Sequence, residues 1–297
     1  MKPTSKRPTG SPSKSLSRKM TRRSVTNVVM LTLTGACAFL TVSVMFYILG
    51  YLAWHGASAL SWNFFTKLPA PVNVPGGGMA NAIVGSAKLL LLASCIGVPV
   101  GILAGIYLSE FAGHTIASIL RFTVDLLNGV PSIVIGIFAY TVIVLPMHTF
   151  STLAGGFALG IMMIPISVRS TEEYLRAVPS SLREASLALG AARWTTITRV
   201  VVPAAFRGIL TGVMLALARV AGETAPLIFT AFGNNSWSQG WSQPTASLPF
   251  MIYTYAVSPY DDWHRQAWAA GLVLVALVLL VNVITRLALA RKMPLSR

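Results

Sequence analysis

Arg219 and Glu223 are charged residues four positions apart inside a long apolar segment. A charged side chain near the middle of a membrane-spanning helix costs about 2.5–3.5 kcal/mol, so it normally faces the protein interior or water. The planar guanidinium of Arg219 is suited to bidentate contact with an oxyanion such as phosphate. Alternatively, Glu223 lies one helical turn further on and neutralises Arg219 in a purely structural pair. We predict that both residues lie on a substrate pathway, and the structural pair remains the alternative.

Arg169 is a further candidate for contact with an anion. It stands near the inner end of another apolar segment, followed by Ser170, Thr171 and Glu172. The alternative is an ordinary basic anchor at the cytoplasmic membrane surface, where Lys and Arg are enriched.

Patterns typical of enzymes are absent from the sequence. No G-x-x-x-x-G-K-[ST] motif occurs, so the chain has no P-loop for the phosphates of ATP. The four histidines are scattered, and no H-E-x-x-H or paired-cysteine pattern suggests a metal site. Cys37 and Cys95 both lie in apolar runs and are interpreted as small buried apolar residues. We therefore expect no catalytic residue, metal or cofactor in this chain.

The composition indicates the environment in which these charged residues lie. Of the 297 residues, 54% are hydrophobic and only 10% are charged, whereas a soluble domain has about 25% charged residues. This excludes an ordinary soluble enzyme and a disordered chain, and indicates a membrane protein with several spans. The net charge of +15 is attributed to basic cytoplasmic loops rather than to nucleic-acid binding.

Six apolar segments are long enough to cross a hydrocarbon core, which needs about 20 helical residues. Residues 1–24 form a basic segment that is predicted to be a disordered cytoplasmic tail. The first apolar segment exceeds the length of a signal-peptide core and is predicted to be a retained helix. Prolines at 99, 131 and 165 predict kinks within spans. The predicted spans are 25–54, 80–111, 116–146, 154–175, 204–232 and 263–290.

The distribution of basic residues predicts the orientation. With the N-terminus inside, the inner segments contain 19 Lys and Arg residues and the outer loops contain two. Such an excess is the positive-inside pattern of cytoplasmic-membrane proteins. We therefore predict a multi-pass protein of the cytoplasmic membrane with both termini in the cytoplasm.

The inner segment 176–203 predicts a short helix that lies across the membrane face. Ser181 and Glu184 have the spacing of a capping box. Leu182, Ala185, Ser186 and Leu189 fall on one face at helical spacing, and Gly190 is placed to end the helix in the left-handed conformation. A narrow, small and apolar face suits docking in a groove of a partner. An interfacial helix without a partner is the alternative.

This segment resembles a motif of a known family. Glu184, Ala185, Ser186, Gly190 and the run Val200–Pro203 match the spacing of the E-A-A-x3-G-x9-I-x-L-P loop of type I ABC importer permeases. Ser186, Val200 and Val202 are mild departures in size from that motif. The resemblance implies that Glu184, Ala185, Ser186, Leu189 and Gly190 form a coupling helix that docks on an ATPase subunit.

A second set of segments resembles the PstA family of phosphate-importer permeases. The run Arg219–Pro226 contains the sequence G-E-T-A-P, and the Ala-Pro at its end favours PstA over the related PstC family. Other similar segments are Gly129–Val134, Gly76–Ile83 and Arg169–Glu173. The resemblance extends over residues 60–290, so it leaves the N-terminal tail without a role.

The resemblance implies an all-α membrane protein of type I ABC importer permease architecture, with six transmembrane helices and a cytoplasmic coupling helix. Residues 25–54 form its first transmembrane helix, and residues 55–297 form the permease core. The expected activity is transport of inorganic phosphate, without bond chemistry in this chain. The implied partners are a PstC-like permease subunit, two PstB-like ATPase subunits that bind ATP and Mg, and a PstS-like phosphate-binding protein outside.

Three alternatives remain at this point. One is an ABC permease for another oxyanion, such as molybdate or sulfate. Only the G-E-T-A-P region argues against it. A secondary transporter or channel would need no coupling loop. An oxyanion-sensing scaffold that docks the ATPase would bind the anion without transport.

Overall fold

The structure is a computed structural model that describes residues 14–72, 74 and 76–292. No β-strand occurs in these ranges, which contain thirteen α-helices. Three five-residue π-helical turns also occur, at Tyr107–Phe111, Tyr140–Val144 and Ile197–Val201. The α-helices are α1 (Lys14–Ala59), α2 (Trp62–Thr66), α3 (Ala80–Ile106), α4 (His114–Gly129), α5 (Ser132–Ala139), α6 (Leu145–Met147), α7 (Thr152–Arg176), α8 (Ser180–Ala188), α9 (Arg193–Thr196), α10 (Val202–Ala221), α11 (Ala225–Thr230), α12 (Leu248–Ala256) and α13 (Asp261–Lys292).

The predicted all-α membrane fold is confirmed. Within the described residues, five helical segments are long and apolar enough to cross a membrane unaided. These are Arg23–Ala59, Ala80–Phe111, Thr152–Arg176, Arg193–Ala221 and Asp261–Leu287. A sixth crossing is possible where α4 is followed by α5 and α6, although the chain bends there by 95°.

The chain divides between Trp54 and His55 into two compact units. In the first unit, α1 begins at Lys14, ten residues before the end of the predicted disordered tail. This prediction is wrong for residues 14–24, because Lys, Arg and Met are good helix formers that extend the apolar helix. The remainder of the predicted tail, residues 1–13, lies outside the described residues.

In the second unit, α3 and α7 pack along their lengths through small residues. A Cβ atom added to Gly97 would lie 2.7 Å from Met163 Cβ, and one added to Gly105 would lie 2.6 Å from Thr171 Cβ. Gly101 meets Ser167 in the same way. Such stripes allow close helix packing where lipid supplies no hydrophobic driving force.

The order of these contacts shows that α3 and α7 run parallel. The chain between them must therefore return to the end at which α3 began, which is what a crossing by α4, α5 and α6 achieves. Helix α10 also packs on α7, where Gly208 contacts Tyr174 and Gly212 contacts Ser170. This order is reversed, so α10 runs antiparallel to α7, as six alternating crossings require.

The predicted third span, 116–146, is wrong as a single helix. It breaks between Gly129 and Ser132, where Val130 has φ −67° and ψ 130° and Pro131 has φ −56° and ψ 135°. Proline disfavours the helical conformation of the residue before it, and Gly129 adds a weak helix former at the same place. Pro99 and Pro165, in contrast, lie inside the continuous helices α3 and α7.

The predicted fifth span, 204–232, is also too long. Helix α10 ends at Ala221, and the short helix α11 begins at Ala225. Gly222 provides the C-cap of α10, and Pro226 occupies the first turn of α11. Both placements follow the usual preference for Gly after a helix and Pro at a helix start.

Candidate functional site

The predicted coupling helix corresponds to α8, although its start differs from the prediction. Pro179 is the N-cap and no side chain caps the helix, so the predicted capping box between Ser181 and Glu184 does not form. Since Ser180 is already the first helical residue and Pro179 the N-cap, Ser181 lies two positions too far along the chain to serve as the cap.

The C-terminal end of α8 agrees with the prediction. Gly190 has a φ of +81°, which is the left-handed conformation that favours glycine. Its amide donates to the carbonyl of Leu187 at 2.9 Å, and the amide of Ala191 donates to the carbonyl of Ser186 at 3.2 Å. These bonds satisfy carbonyl groups that the end of a helix leaves free.

Several apolar side chains of α8 and of the segment that follows it are exposed. Leu189 is 89% exposed, and Leu182, Leu187 and Trp194 are also exposed. Of the five predicted coupling residues, Glu184, Ala185, Leu189 and Gly190 are exposed. The fifth, Ser186, is half-buried and its hydroxyl lies 2.9 Å from that of Thr196. An exposed apolar face of this kind is typical of an interaction surface.

Arg183 fixes α8 to the ends of two long helices. Its Nη2 donates to Glu110 Oε1 at 2.8 Å, and its Nε donates to Glu110 Oε2 at 3.4 Å. Its Nη1 and Nη2 also donate to the carbonyls of Val178 and Leu175, at 2.6 and 2.7 Å. The sequence analysis did not identify Arg183, because Glu110 lies 73 positions away and no local spacing connects the two.

The segment 176–203 that contains α8 is called the α8 loop below. Its other end contacts the π-helical turn that follows α3. Arg193 donates to the carbonyl of Glu110, and its guanidinium carbon lies 5.3 Å from the centroid of the Phe111 ring. The rings of Phe111 and Trp194 are also in contact, with centroids 6.2 Å apart. Both ends of the α8 loop are therefore held at residues 110–111.

Arg169 belongs to a network of charges between α4 and α7. Its Nε donates to Asp125 Oδ1 at 2.9 Å, and its Nη1 lies 3.6 Å from Glu172 Oε2. Glu172 has a side chain that is only 3% exposed, and it also pairs with Arg121 at 2.6 Å and Arg176 at 3.2 Å. Three arginines thus share one buried carboxylate. Glu172 and Arg176 share α7 with Arg169, whereas Arg121 and Asp125 come from α4. Sequence spacing identified Arg169 but could not show the contacts between the two helices.

Arg219 and Glu223 do not form an ion pair. Arg219 lies in the last turn of α10 and is exposed, whereas Glu223 lies beyond the end of that helix and is half-buried. No salt bridge within 4.0 Å involves either residue in the part of the chain that the structure describes. Because α10 ends between them, the one-turn spacing assumed for the structural pair is lost.

Two helix breaks meet close to Arg219. Arg219 lines a small cavity with Asn128 and Val130, which lie at the break between α4 and α5. Arg219 itself directly precedes the break between α10 and α11. The two following helices touch, since a Cβ atom on Gly136 of α5 would lie 2.7 Å from Pro226 Cα of α11. Interrupted helices leave backbone groups free to contact a polar substrate within the membrane.

Within the described residues, no three His, Cys, Asp or Glu side chains come together as a metal site would require. The arrangement therefore offers two candidate sites: an exposed loop helix that could engage a partner, and an uncompensated guanidinium at a junction of broken helices.

Comparison with known families agrees with this architecture. Residues 97–293 match the family described as binding-protein-dependent transport system inner membrane component. This range includes α8, Arg169, Arg219 and Glu223.

Relatives are similar along nearly their whole length. The chain is 43% identical to the phosphate transport system permease protein PstA of Yersinia pestis, over 93% of this chain and 94% of the relative. Identity to PstA of Xylella fastidiosa strain Temecula1 is 45%, over 91% and 94% of the two chains. The probable PstA of Methanocaldococcus jannaschii is 35% identical, over 91% and 95%.

Solved structures share the fold. The inward-facing MetNI methionine ABC transporter matches with a TM-score of 0.55 at 21% identity, covering 72% of this chain and 94% of that chain. An amino acid ABC transporter crystallised with histidines matches with a TM-score of 0.55 at 18% identity, covering 72% and 93%. By sequence, the chain belongs to the inner membrane components of binding-protein-dependent transport systems and, among them, to the PstA permease family.

Proposed function

We propose that this chain is the permease subunit of an ATP-driven importer that moves inorganic phosphate across the cytoplasmic membrane. The observation that carries the proposal is its similarity to phosphate transport permeases along nearly the whole of both sequences. That similarity also favours phosphate over sulfate or molybdate. In this role the chain changes no covalent bond and provides part of a pathway with alternating access.

Energy for transport comes from separate ATPase subunits. The chain has no P-loop of its own, and the exposed apolar surface of α8 provides a docking face for such a subunit. In the assembly that we infer, two PstB-like ATPases bind ATP and Mg on the inner side. A PstC-like permease completes the pathway, and a PstS-like protein delivers phosphate outside.

Arg219 is the residue that we assign to phosphate in the pathway. Its guanidinium is exposed and lacks an ion pair among the described residues. It lies where the break between α4 and α5 meets the break between α10 and α11. A positive charge with free donors at an interrupted helix suits an oxyanion that has lost its hydration. Glu223 lies close to the same break, where its negative charge would repel a second anion.

Arg169 has a more restricted role in this proposal. Its guanidinium is occupied by Asp125, so it contacts phosphate only in a conformation in which that pair opens. The excess of basic residues in the inner segments supports cytoplasmic termini, which places Arg169 and the α8 loop on the inner side.

A complementation experiment tests the proposal. The gene would be expressed in a bacterial strain that lacks its own PstA but retains the other importer subunits. We expect growth at micromolar phosphate to return, and to be lost again with Arg219→Gln. Normal membrane abundance without any phosphate-dependent growth for the unmodified chain would contradict the proposal, once assembly with the host subunits is verified by co-purification.

A further inference from the structure

We propose that Arg183 and Glu110 form a positioning pair that transmits the movement of α8 to α3, and thereby to the membrane helices. This inference rests on the proposed function, since it assumes that α8 is moved by an ATPase subunit. Neither residue belongs to the predicted coupling face, and neither lines the cavity at Arg219. Their role is to connect the docking helix to the pathway.

The contacts of Arg183 are stronger than those of a solvent-exposed ion pair. Its side chain is 24% exposed and that of Glu110 is 9% exposed. Four hydrogen bonds use its guanidinium, two to Glu110 and two to the carbonyls of Leu175 and Val178. Charge-assisted bonds of this kind are geometrically specific. A displacement of α8 without an equal displacement of Glu110 would therefore break the two bonds to Glu110.

Contacts within the α8 loop connect α8 to α9. A movement of α8 would therefore displace both Arg183 and Arg193, which contact Glu110. Ser186 of α8 contacts Thr196 of α9 through their hydroxyl groups at 2.9 Å. At the far end of the loop, Arg193 and Trp194 contact Glu110 and Phe111. The two ends converge on one π-helical turn, Tyr107–Phe111.

That turn continues directly from α3. Because α3 packs on α7 at Gly97, Gly101 and Gly105 with almost no space between the helices, the two helices are expected to move together. Arg183 reinforces this unit, since it also binds carbonyls at the end of α7. The geometry points to α3 and α7 as the helices that move when an ATPase subunit moves α8.

The test uses the full importer complex, reconstituted in vesicles with its ATPase subunits and binding protein. Four variants are compared: Arg183→Gln, Glu110→Gln, the double Gln variant, and Arg199→Gln as control. Arg199 lies on the same loop and is exposed. The readouts are co-purification of the ATPase and the number of phosphate ions taken up per ATP hydrolysed.

We expect each single variant to retain the ATPase subunits and to lose phosphate uptake per ATP by about tenfold, the change expected when a charge-assisted contact is removed. The double Gln variant should lose no more than a single variant, because both substitutions break one contact. It also avoids an unpaired buried carboxylate, so it decides the matter if a single variant fails to fold. Arg199→Gln should behave like the unmodified complex.

Two results would overturn the inference. One is a normal ratio of phosphate to ATP in the double variant, which would mean that transmission does not need the pair. The other is loss of the ATPase from the double variant at normal membrane abundance, which would assign the pair to docking. Failure of the proposed function itself is distinguishable, since the unmodified complex would then take up no phosphate.

Discussion

Arg169 on α7 holds Asp125 on α4 through two guanidinium nitrogens, Nε to Oδ1 at 2.9 Å and Nη2 to Oδ2. The same arginine reaches Glu172, which is buried and shared with Arg121 and Arg176. The two carboxylates differ in environment, because the side chain of Asp125 is 56% exposed and that of Glu172 is 3% exposed. They should therefore differ in their importance for stability.

We expect Glu172→Gln to destabilise the protein strongly. Removing the buried carboxylate leaves three neighbouring arginines without their shared partner, and because those arginines are partly exposed we expect a loss of about 1–3 kcal/mol. Asp125→Asn is the matched control and should have a small effect, since water screens an exposed pair. Thermal unfolding of the purified complex measures both. Equal losses for the two variants would show that the buried carboxylate does not organise the network.

Arg219→Gln should abolish uptake while membrane abundance stays normal. The loss of a charge-assisted contact with the anion predicts a decrease of about ten- to a hundredfold. Arg219→Lys should also fail, because lysine retains the charge but not the planar fork. Uptake and immunoblotting of the membrane fraction measure the two quantities, with Arg199→Gln as control.

The double variant Arg219→Gln/Glu223→Gln separates contact with phosphate from a structural pair. Since the two side chains form no ion pair in this conformation, removing Glu223 as well should not restore uptake. Recovery of uptake and abundance together would contradict the assignment of Arg219 to the anion.

Gly190→Ala should impair coupling through backbone strain alone. An added Cβ at Gly190 would have no atom within 4 Å, but the residue has a φ of +81°, which costs an L-residue about 1–2 kcal/mol. Gly113→Ala is the matched control, because Gly113 is equally open and has a φ of −64°. Asparagine tolerates the left-handed conformation, so Gly190→Asn should retain more ATPase stimulation by phosphate than Gly190→Val. The opposite order would exclude strain as the cause.

Membrane topology can be tested by cysteine labelling after replacement of Cys37 and Cys95, which are free and exposed rather than buried as the sequence analysis interpreted them. An impermeant maleimide added outside intact cells should label Ser236→Cys, on an exposed loop, and not Leu189→Cys, on α8. Labelling of Leu189→Cys from outside would reverse the orientation and remove α8 from the ATPase side.

The sequence was sufficient to predict four of the six membrane segments and the end of α8. Apolar runs determine the spans because each must cover a fixed thickness of hydrocarbon, and Gly190 occupies the left-handed turn that its position after the helix predicts. Both features depend on residues that are close together in the chain. Local chemistry therefore determined them without knowledge of the packing.

The helix break at Pro131 was predicted only as a kink, and the break at Gly222 was not predicted. Val130–Pro131 and Gly222 both contain helix-terminating residues, yet Pro99 and Pro165 also occur in spans and leave their helices continuous. Whether a proline breaks a helix in a membrane depends on neighbouring helices that satisfy the freed backbone groups. That information lies in the packing rather than in the local sequence.

The contacts between distant residues could not be predicted from spacing. Arg183 and Glu110 are separated by 73 positions, and Arg121 and Glu172 by 51. The single sequence contains no pattern that relates them. Conversely, the pairing of Arg219 with Glu223 was an alternative based on one-turn spacing, and the end of α10 at Ala221 removes the geometry on which it depended.

Phosphate uptake by the reconstituted complex tests the central claim most directly. Vesicles would contain this chain with its partner permease and ATPases, and radiolabelled phosphate would be supplied with the binding protein. The account predicts uptake that requires ATP and Mg on the ATPase side, persists when ionophores collapse all ion gradients, and is not inhibited by excess sulfate or molybdate. Uptake that follows an ion gradient without ATP, or ATP-driven uptake of sulfate or molybdate in preference to phosphate, would contradict it.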